Sequence, residues 1–448
     1  MKRSKFLSIV IIILSLVLLF SACGTKTADT PASATPTSAA SSSEPSASPS
    51  PSATPSNEKV TITFEQFSGS GDNEGLLKQM IAEYNKVYPN VTVELSTIGY
   101  GDYFNQMMAK VAAGTAPDVF ELNYENFVSY ANKGALMPLD DIIASANFDT
   151  AKYNKMALNA FKANGIQYGV PDSFSDVLLF YNKDLFDKAG VAYPTNDWTW
   201  EDALQAAIKI RALDENTFGY FRPVTFNELY KVVKQNGGSL FNADMTQFTI
   251  DTPENRESVQ YMVDMVNKYN VMPSEEQLAG MGELDLFKAG RLGMYITGVW
   301  MIPDFTKNLE FNWDIAVEPG NKAKATHFFS NGYVLSKDTK VADAAFQFAT
   351  FISSAKEAVD IRLNAGWELP PVSDQTVLDK YKQITPPNNK QAVFDSLDYL
   401  VTPPVIEQFI EFQDIVGKHL NSIITKDATV EEALAACQKE LEEKIVLK

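Results

Sequence analysis

Cysteine is nearly missing from this chain: 448 residues hold two, Cys23 and Cys437, and histidine is as scarce, with His327 and His419 alone. If Cys23 is acylated, as argued below, Cys437 has no partner, and a disulfide framework is excluded. Two distant histidines with no HExxH spacing leave no His-based zinc centre and no His-based triad. There is no GxSxG elbow and no GxxxxGK[ST] phosphate loop, and the polar run GSGDNEG lacks the spacing of a dinucleotide fingerprint. DENTFG and NADMTQF carry oxygen ligands in no EF-hand register. Neither a cofactor nor a resident metal is expected. Positive charge is short too, with 38 Lys and Arg against 56 Asp and Glu and a net charge of -18. Such a surface argues against nucleic acid and against lying flat on anionic lipid. So many carboxylates make pairs for glycoside hydrolysis easy to draw, yet no spacing singles one out, and catalysis is disfavoured.

What is present begins with Lys2, Arg3 and Lys5, followed by the apolar stretch Phe6–Phe20 and the small residues Ser21 and Ala22. That stretch is shorter than the roughly 20 residues a spanning helix needs, and its flanks are those of a secretory signal, residues 1–22. Leu19-Phe20-Ser21-Ala22-Cys23-Gly24 resembles a bacterial lipoprotein box, with Phe20 where leucine is usual. The resemblance implies cleavage before Cys23 and a diacylglycerol on its sulfur, with acyl chains such as palmitate. Removing residues 1–22 takes away three positive charges and no negative ones, so the net charge moves from -18 to -21. Residues 23–57 are built almost wholly of Ser, Thr, Ala and Pro. They lack the apolar side chains that offset ordering entropy, so a disordered spacer is expected. The acyl chain makes the protein anchored rather than spanning, on the extracytoplasmic face of a bacterial membrane.

The body, from residue 58 on, is about 390 residues, too long for one ordinary core, and predicts two lobes. KVTITFEQF alternates as a first strand, and LLKQMIAEYNKVY places Leu77, Met80, Ile81 and Tyr84 at helical spacing. VTVEL reads as a second strand, Asp102 to Ala113 as a helix and DVFEL as a third strand. This β-α-β-α-β order predicts a parallel sheet with right-handed crossovers. Later helices carry start signals at Thr199 with Asp202, at Thr252 before Pro253, and at Thr429 with Glu432. Cys437 lies in the last of these and is expected to be a buried thiol.

In the middle region AAGTAPDVFELN followed by YANKGALMPLDD resembles the family 1 extracellular solute-binding proteins, the sugar-binding subunits of ABC importers. GIQYGVPDSFSDVLLFYNKDLFDKAGVAYPTNDWTWEDALQAA, FKAGRLGMYITGVWMIPDF and FATFISSAKEAVDIRLNAGWELPPV are similar to later blocks of that family, in the same order. The resemblance covers about residues 60–440. It implies an α/β, two-lobed periplasmic-binding-protein fold of the maltose-binding type (type II), which closes on a ligand between its lobes. By that resemblance residues 58–170 and 331–378 form the N-terminal lobe, and 171–330 and 379–448 the C-terminal lobe. It further implies capture of a sugar or oligosaccharide by a monomer and delivery to importer permease subunits.

A sugar has hydroxyl-lined edges and flat C–H faces, so a binder needs carboxylates and amides for the one and aromatic rings for the other. The cleft-facing loops that the resemblance nominates hold Gln66, Ser68, Glu121, Asn123, Asp172, Asn331 and Glu368 as polar ligand residues. Trp300 follows Gly298 beyond an apolar strand and Trp367 follows Gly366 in a loop, so both are expected to stack on the ligand. Tyr181 is a further candidate, and Phe409 or Gln413, in VIEQFIEFQDIV, is a candidate from the C-terminal region. Trp198, Trp200 and Trp313 fit packing positions instead. Asp172 could alternatively cap a turn, and Asn182, Lys183 and Asp184 are expected to order a helix start. A surface polysaccharide-processing enzyme and a sensor or adhesion lipoprotein share the anchor and the acidity, and remain the alternatives.

Overall fold

The computed structural model describes residues 59–69 and 73–447. The signal segment, Cys23, the Ser/Thr/Pro-rich stretch and residues 70–72 of the first loop lie outside the described residues.

The first strand, Val60–Gln66 (β1), is followed by the helix Glu74–Val87, which buries Leu77, Met80, Ile81 and Tyr84 along one stripe. Val91–Thr97 (β2) returns parallel to β1, in register from Val60↔Val91 to Gln66↔Thr97. The helix Tyr100–Ala113 starts two residues earlier than its sequence pattern indicated and stops at Gly114, whose φ of 68° suits a residue without Cβ. Val119–Asn123 (β3) then pairs parallel with β1 on its other side. The expected β-α-β-α-β unit is therefore present.

A hairpin of Lys162–Ala163 (β4) and Ile166–Gln167 (β5) leads into Gly169–Asn182 (β6), 14 residues that are all buried. The remaining strands are Met294–Gly298 (β7), Trp313–Ala316 (β8), Thr326–Leu335 (β9) and Leu400–Val401 (β10). The main sheet runs β2-β1-β3-β9-β6-β7, with β8 paired to β6 and β10 to β9. β6 and β9 are antiparallel and each serves two neighbourhoods. Residues 169–176 of β6 pair with β9, while residues 177–182 pair with β7 and β8. The far end of β9, Asn331 to Leu335, closes on β3. Between Pro171 and Ser173 the register shifts, so a bulge falls at Asp172. Proline cannot donate to the ladder, and a bulge re-aims the side chain it carries. Asp172 is thus set by a strand irregularity and not by a helix cap.

Separate buried clusters accompany the large one built around β6. Ile62, Phe64, Met80 and Tyr84 pack with Tyr333, Leu335, Phe348 and Ile352. Trp200, Phe226, Val233 and Met262 pack with Phe412, Val416, Leu420 and Leu434. The C-terminal helices Phe409–Ile424 and Val430–Lys444 thus complete the core begun by residues 200–263. Cys437 is buried there, and burial pushes its thiol up to about 12. Thr199 with Asp202 and Thr429 with Glu432 form capping boxes, and Thr252 caps the helix that opens on Pro253. Trp200 stacks on Tyr261 at 4.1 Å and Trp313 on Phe180 at 5.9 Å, both as packing residues. Among the described residues no helix is long and apolar enough to cross a membrane.

Candidate functional site

The carboxyl ends of β1 and β3 meet the bulge of β6 in a buried polar cluster. Asp172 pairs with Arg362, which lies in the last turn of the helix Lys356–Ala365 and also donates to the Tyr333 hydroxyl at 3.1 Å. Gln66 Nε2 donates to that same hydroxyl at 2.6 Å. Glu121 Oε2 accepts the backbone N–H groups of Phe67 and Ser68, each at 3.0 Å, so β3 orders the loop that leaves β1. The Tyr103 hydroxyl ties the two strand ends by donating to the Glu121 carbonyl at 2.8 Å. Glu368 stands at φ 39°, an uncommon backbone state for a side-chain-bearing residue, and its carboxylate accepts from Ser173 next to Asp172.

Burial dominates the electrostatics here. It pushes Glu121 up to about 8, with the Asp172 charge adding to the rise, and it pushes Glu368 up to about 7. Burial raises Asp172 as well, while Arg362 opposes the rise. Three carboxyls around one guanidinium do not all ionise together, so the cluster keeps both protonated and charged carboxyls near neutral pH. Gln66 Oε1, Ser68 Oγ, Glu121 Oε1, Asp172 Oδ2, Glu368 Oε2 and two nitrogens of Arg362 are buried without a hydrogen-bond partner. Each such atom costs about 1–3 kcal/mol when left unpaired, so the arrangement suits a molecule that brings its own donors and acceptors.

Aromatic rings accompany the polar groups. Trp300 sits in the turn Val299–Met301 just beyond β7 and is 36% exposed. Its ring meets Phe329 edge-on at 5.1 Å and lies so close over Gly298 that no Cβ fits there. Tyr100 is 58% exposed and meets Phe67 at 5.4 Å. Asn331 is half-buried on β9 directly across from Asn123, whose side chain caps the helix Tyr124–Asn132.

Gln66, Ser68, Glu121, Asp172 and Glu368 are thus brought into one connected cluster, and Asn123 with Asn331 lies two pairs beyond Glu121 and Tyr333 along β3 and β9. Trp300 stands beside Phe329, two residues before Asn331. Three expectations are corrected. Trp367 is 2% exposed and packs in the core of Ile62 and Phe64, with the Arg362 guanidinium 4.3 Å from its ring centre, so the ring has no free face. Tyr181 is nine residues along β6 from Asp172, about 30 Å at strand rise, and packs against Phe186 and Tyr193. Phe409 is likewise core, against Phe226. Sequence reasoning missed Arg362, Tyr333 and Tyr103, which hold the cluster together. It also missed a link in which His327 Nε2 lies 3.4 Å from Glu125 Oε1 and 2.9 Å from the Tyr230 hydroxyl. Burial raises Glu125 to about 7 and holds His327 well below its usual value.

Two α/β lobes joined by shared strands, with polar side chains at the carboxyl ends of β1 and β3, define a two-lobed solute-binding protein. The family model for bacterial extracellular solute-binding proteins matches residues 70–359, and the chain belongs to that family. An ABC substrate-binding protein of Listeria monocytogenes, solved in complex with cycloalternan, is 43% identical and superposes with a TM-score of 0.84 over 87% of this chain and all of that one. The arabinooligosaccharide-binding protein of Bacillus subtilis is 25% identical over 312 residues, 66% of this chain and 70% of that protein. The cyclic alpha-maltosyl-1,6-maltose binding protein of Arthrobacter globiformis is 20% identical with a TM-score of 0.69, covering 86% and 98% of the two chains, and it shares the fold.

Proposed function

We propose that this protein captures a carbohydrate, an oligosaccharide in particular, and presents it to an ABC importer from a lipid anchor at Cys23. The observation that carries this reading is the buried set of unpaired carboxylate, amide and guanidinium atoms around Asp172, Glu121 and Arg362, accompanied by the half-exposed ring of Trp300. Its likeness, over 87% of this chain, to an ABC substrate-binding protein solved in complex with cycloalternan supports the same ligand class. Gln66, Glu121, Asp172 and Glu368 would bond hydroxyls, Asn123 and Asn331 would extend that edge, and Trp300 would cover a sugar face. The lobes, 58–170 with 331–378 and 171–330 with 379–448, close about β6 and β9. A ligand favours the closed form only by as much as it binds that form more tightly. Capture leaves the sugar chemically unchanged, a monomer suffices, and the Ser/Thr/Pro-rich stretch gives reach between membrane and permease.

Calorimetry and thermal unfolding with cycloalternan, maltotriose, mannotriose and arabino-oligosaccharides test it. One sugar should bind saturably, raise the melting temperature by mass action, and be recovered intact. Binding by none of them refutes the carbohydrate assignment, and recovery of cleaved sugar moves the assignment to a polysaccharide-processing enzyme.

A further inference from the structure

Neighbouring residues of a strand face opposite ways, and β9 uses both faces. Phe329, Asn331 and Tyr333 share the face that meets Trp300 and the polar cluster. Phe328 faces the other way and is 1% exposed. On its side lies a cavity of about 500 Å³, within the range of small-molecule sites. Phe328 forms one wall. Tyr124, which meets the Phe328 ring edge-on at 5.9 Å, forms a second. Met156, from the short helix Lys155–Asn159, and Ala160 just after it form a third. Thr402 adds a polar edge directly after β10, where that strand leaves its pairing with Thr326 and His327. None of these residues takes part in the cluster around Asp172.

Three walls are apolar, and the charge beside them is of one sign. Lys155 lines the cavity, is exposed, and makes no ion pair among the described residues. No Asp or Glu lines it, although acids outnumber bases by 56 to 38 in the chain. Met156 is 47% exposed, and its flexible thioether can mould itself to a guest. A sugar ring would find too few polar partners here, and a cation would meet the Lys155 ammonium. A molecule with one carboxylate and a short apolar body satisfies both the ammonium and the rings.

We propose that this cavity is a second binding site, separate from the polar cluster, for a small carboxylate with an apolar body. Its carboxylate pairs with Lys155, and its body lies between Tyr124, Met156 and Phe328. The mature chain carrying Cys23→Ser, which takes no lipid and so needs no detergent, tests it by calorimetry with sodium octanoate. Octylamine serves as the cationic counterpart of the same length. Octanoate should bind saturably at one site, and octylamine about tenfold more weakly or not at all. Lys155→Met should weaken octanoate about three- to fivefold, the worth of an ion pair open to water. Met156→Glu, which sets a like charge against the carboxylate, should weaken it about tenfold. Both side chains are exposed, so both variants should melt as the parent does. Octanoate that fails to bind, octylamine that binds equally well, or octanoate affinity unchanged in either variant overturns the assignment. Should one variant fold poorly, the other decides alone by the same affinity criterion. No sugar enters the experiment, so its outcome is independent of carbohydrate capture.

Discussion

Replacing Gly298 by alanine should displace Trp300 without breaking the fold. A Cβ on Gly298 would fall 1.9, 2.1 and 2.2 Å from three ring atoms of Trp300. Carbon atoms rest at about 3.5–4.0 Å, so one side must yield by roughly 1.5 Å. Gly298 is held in β7 by its pairing with Val177, whereas Trp300 is 36% exposed and touches Phe329 only by an edge. The ring is what moves, at a cost of about 1 kcal/mol or less in stability, within the range of mild substitutions. If the ring covers a sugar face, it buries on the order of 100 Å² of apolar surface, about 2.5 kcal/mol at 25 cal/mol per Å². Losing half or more of that weakens binding by roughly ten- to one-hundred-fold. Calorimetry for the sugar and a melting curve for the apo protein measure the two quantities separately. Gly219 supplies the contrast, because its Cβ would meet the Ala207 carbonyl oxygen at 2.1 Å and Cα at 2.4 Å, and backbone cannot swing away. Gly219→Ala should therefore cost stability heavily, about 3 kcal/mol or more. Unchanged affinity in Gly298→Ala would refute the stacking role of Trp300, and a melting loss as large as that of Gly219→Ala would refute the claim that the ring can move.

Arg362→Met should destabilise by about 3–5 kcal/mol in urea unfolding, because Asp172 is left as an uncompensated buried acid, and adding Asp172→Leu should restore most of that loss. Trp367→Ala should cost about 3–5 kcal/mol as a core truncation; a purely ligand-facing ring would instead leave apo stability intact. Glu121, raised to about 8, and Glu368, raised to about 7, keep protons in the folded state that unfolded carboxyls release near 4.5. Their stabilising contribution is present below that value and is lost as pH climbs towards 8, so Glu121→Gln should flatten the fall in melting temperature between about pH 5 and pH 8. His327 acts in the opposite sense: it is held neutral by burial, so stability is lost as pH falls below about 6.5, and His327→Phe should remove that acid-side loss.

Local pattern made the fold's beginning readable. Leu77, Met80, Ile81 and Tyr84 announce their helix because one face must be buried, and Thr199, Thr252 and Thr429 announce theirs because a helix start leaves amides to satisfy. Strand β6 was harder, since a strand buried on both faces carries no alternation, and only the blocks shared with a family pointed to its passage between lobes. Family blocks also led to Gln66, Glu121, Asp172 and Glu368, though not to what binds them. Arg362 reaches Asp172 across 190 residues and Gln66 reaches Tyr333 across 267, and no periodicity reports a pairing of that range. Trp367 misled because Gly366 and two prolines mark a loop, and a loop pattern does not reveal that Arg362 lies over the ring and draws it inward.

The bulge at Asp172 explains why so much polarity collects on one strand. The register shift re-aims Asp172 without breaking the ladder to β9, and Ser173, Ser175 and Asp176 follow it, buried and in regular register. Those residues precede the point, between Asp176 and Val177, where β6 changes partners from β9 to β7 and β8. On the proposed function, the unpartnered oxygens of Asp172 and Asp176 would become paired when a hydroxylated ligand bridges both halves. On that reading their desolvation penalty would be relieved only in the closed, occupied form. That differential is what a binding protein needs if ligand, and not chance closure, is to decide its shape.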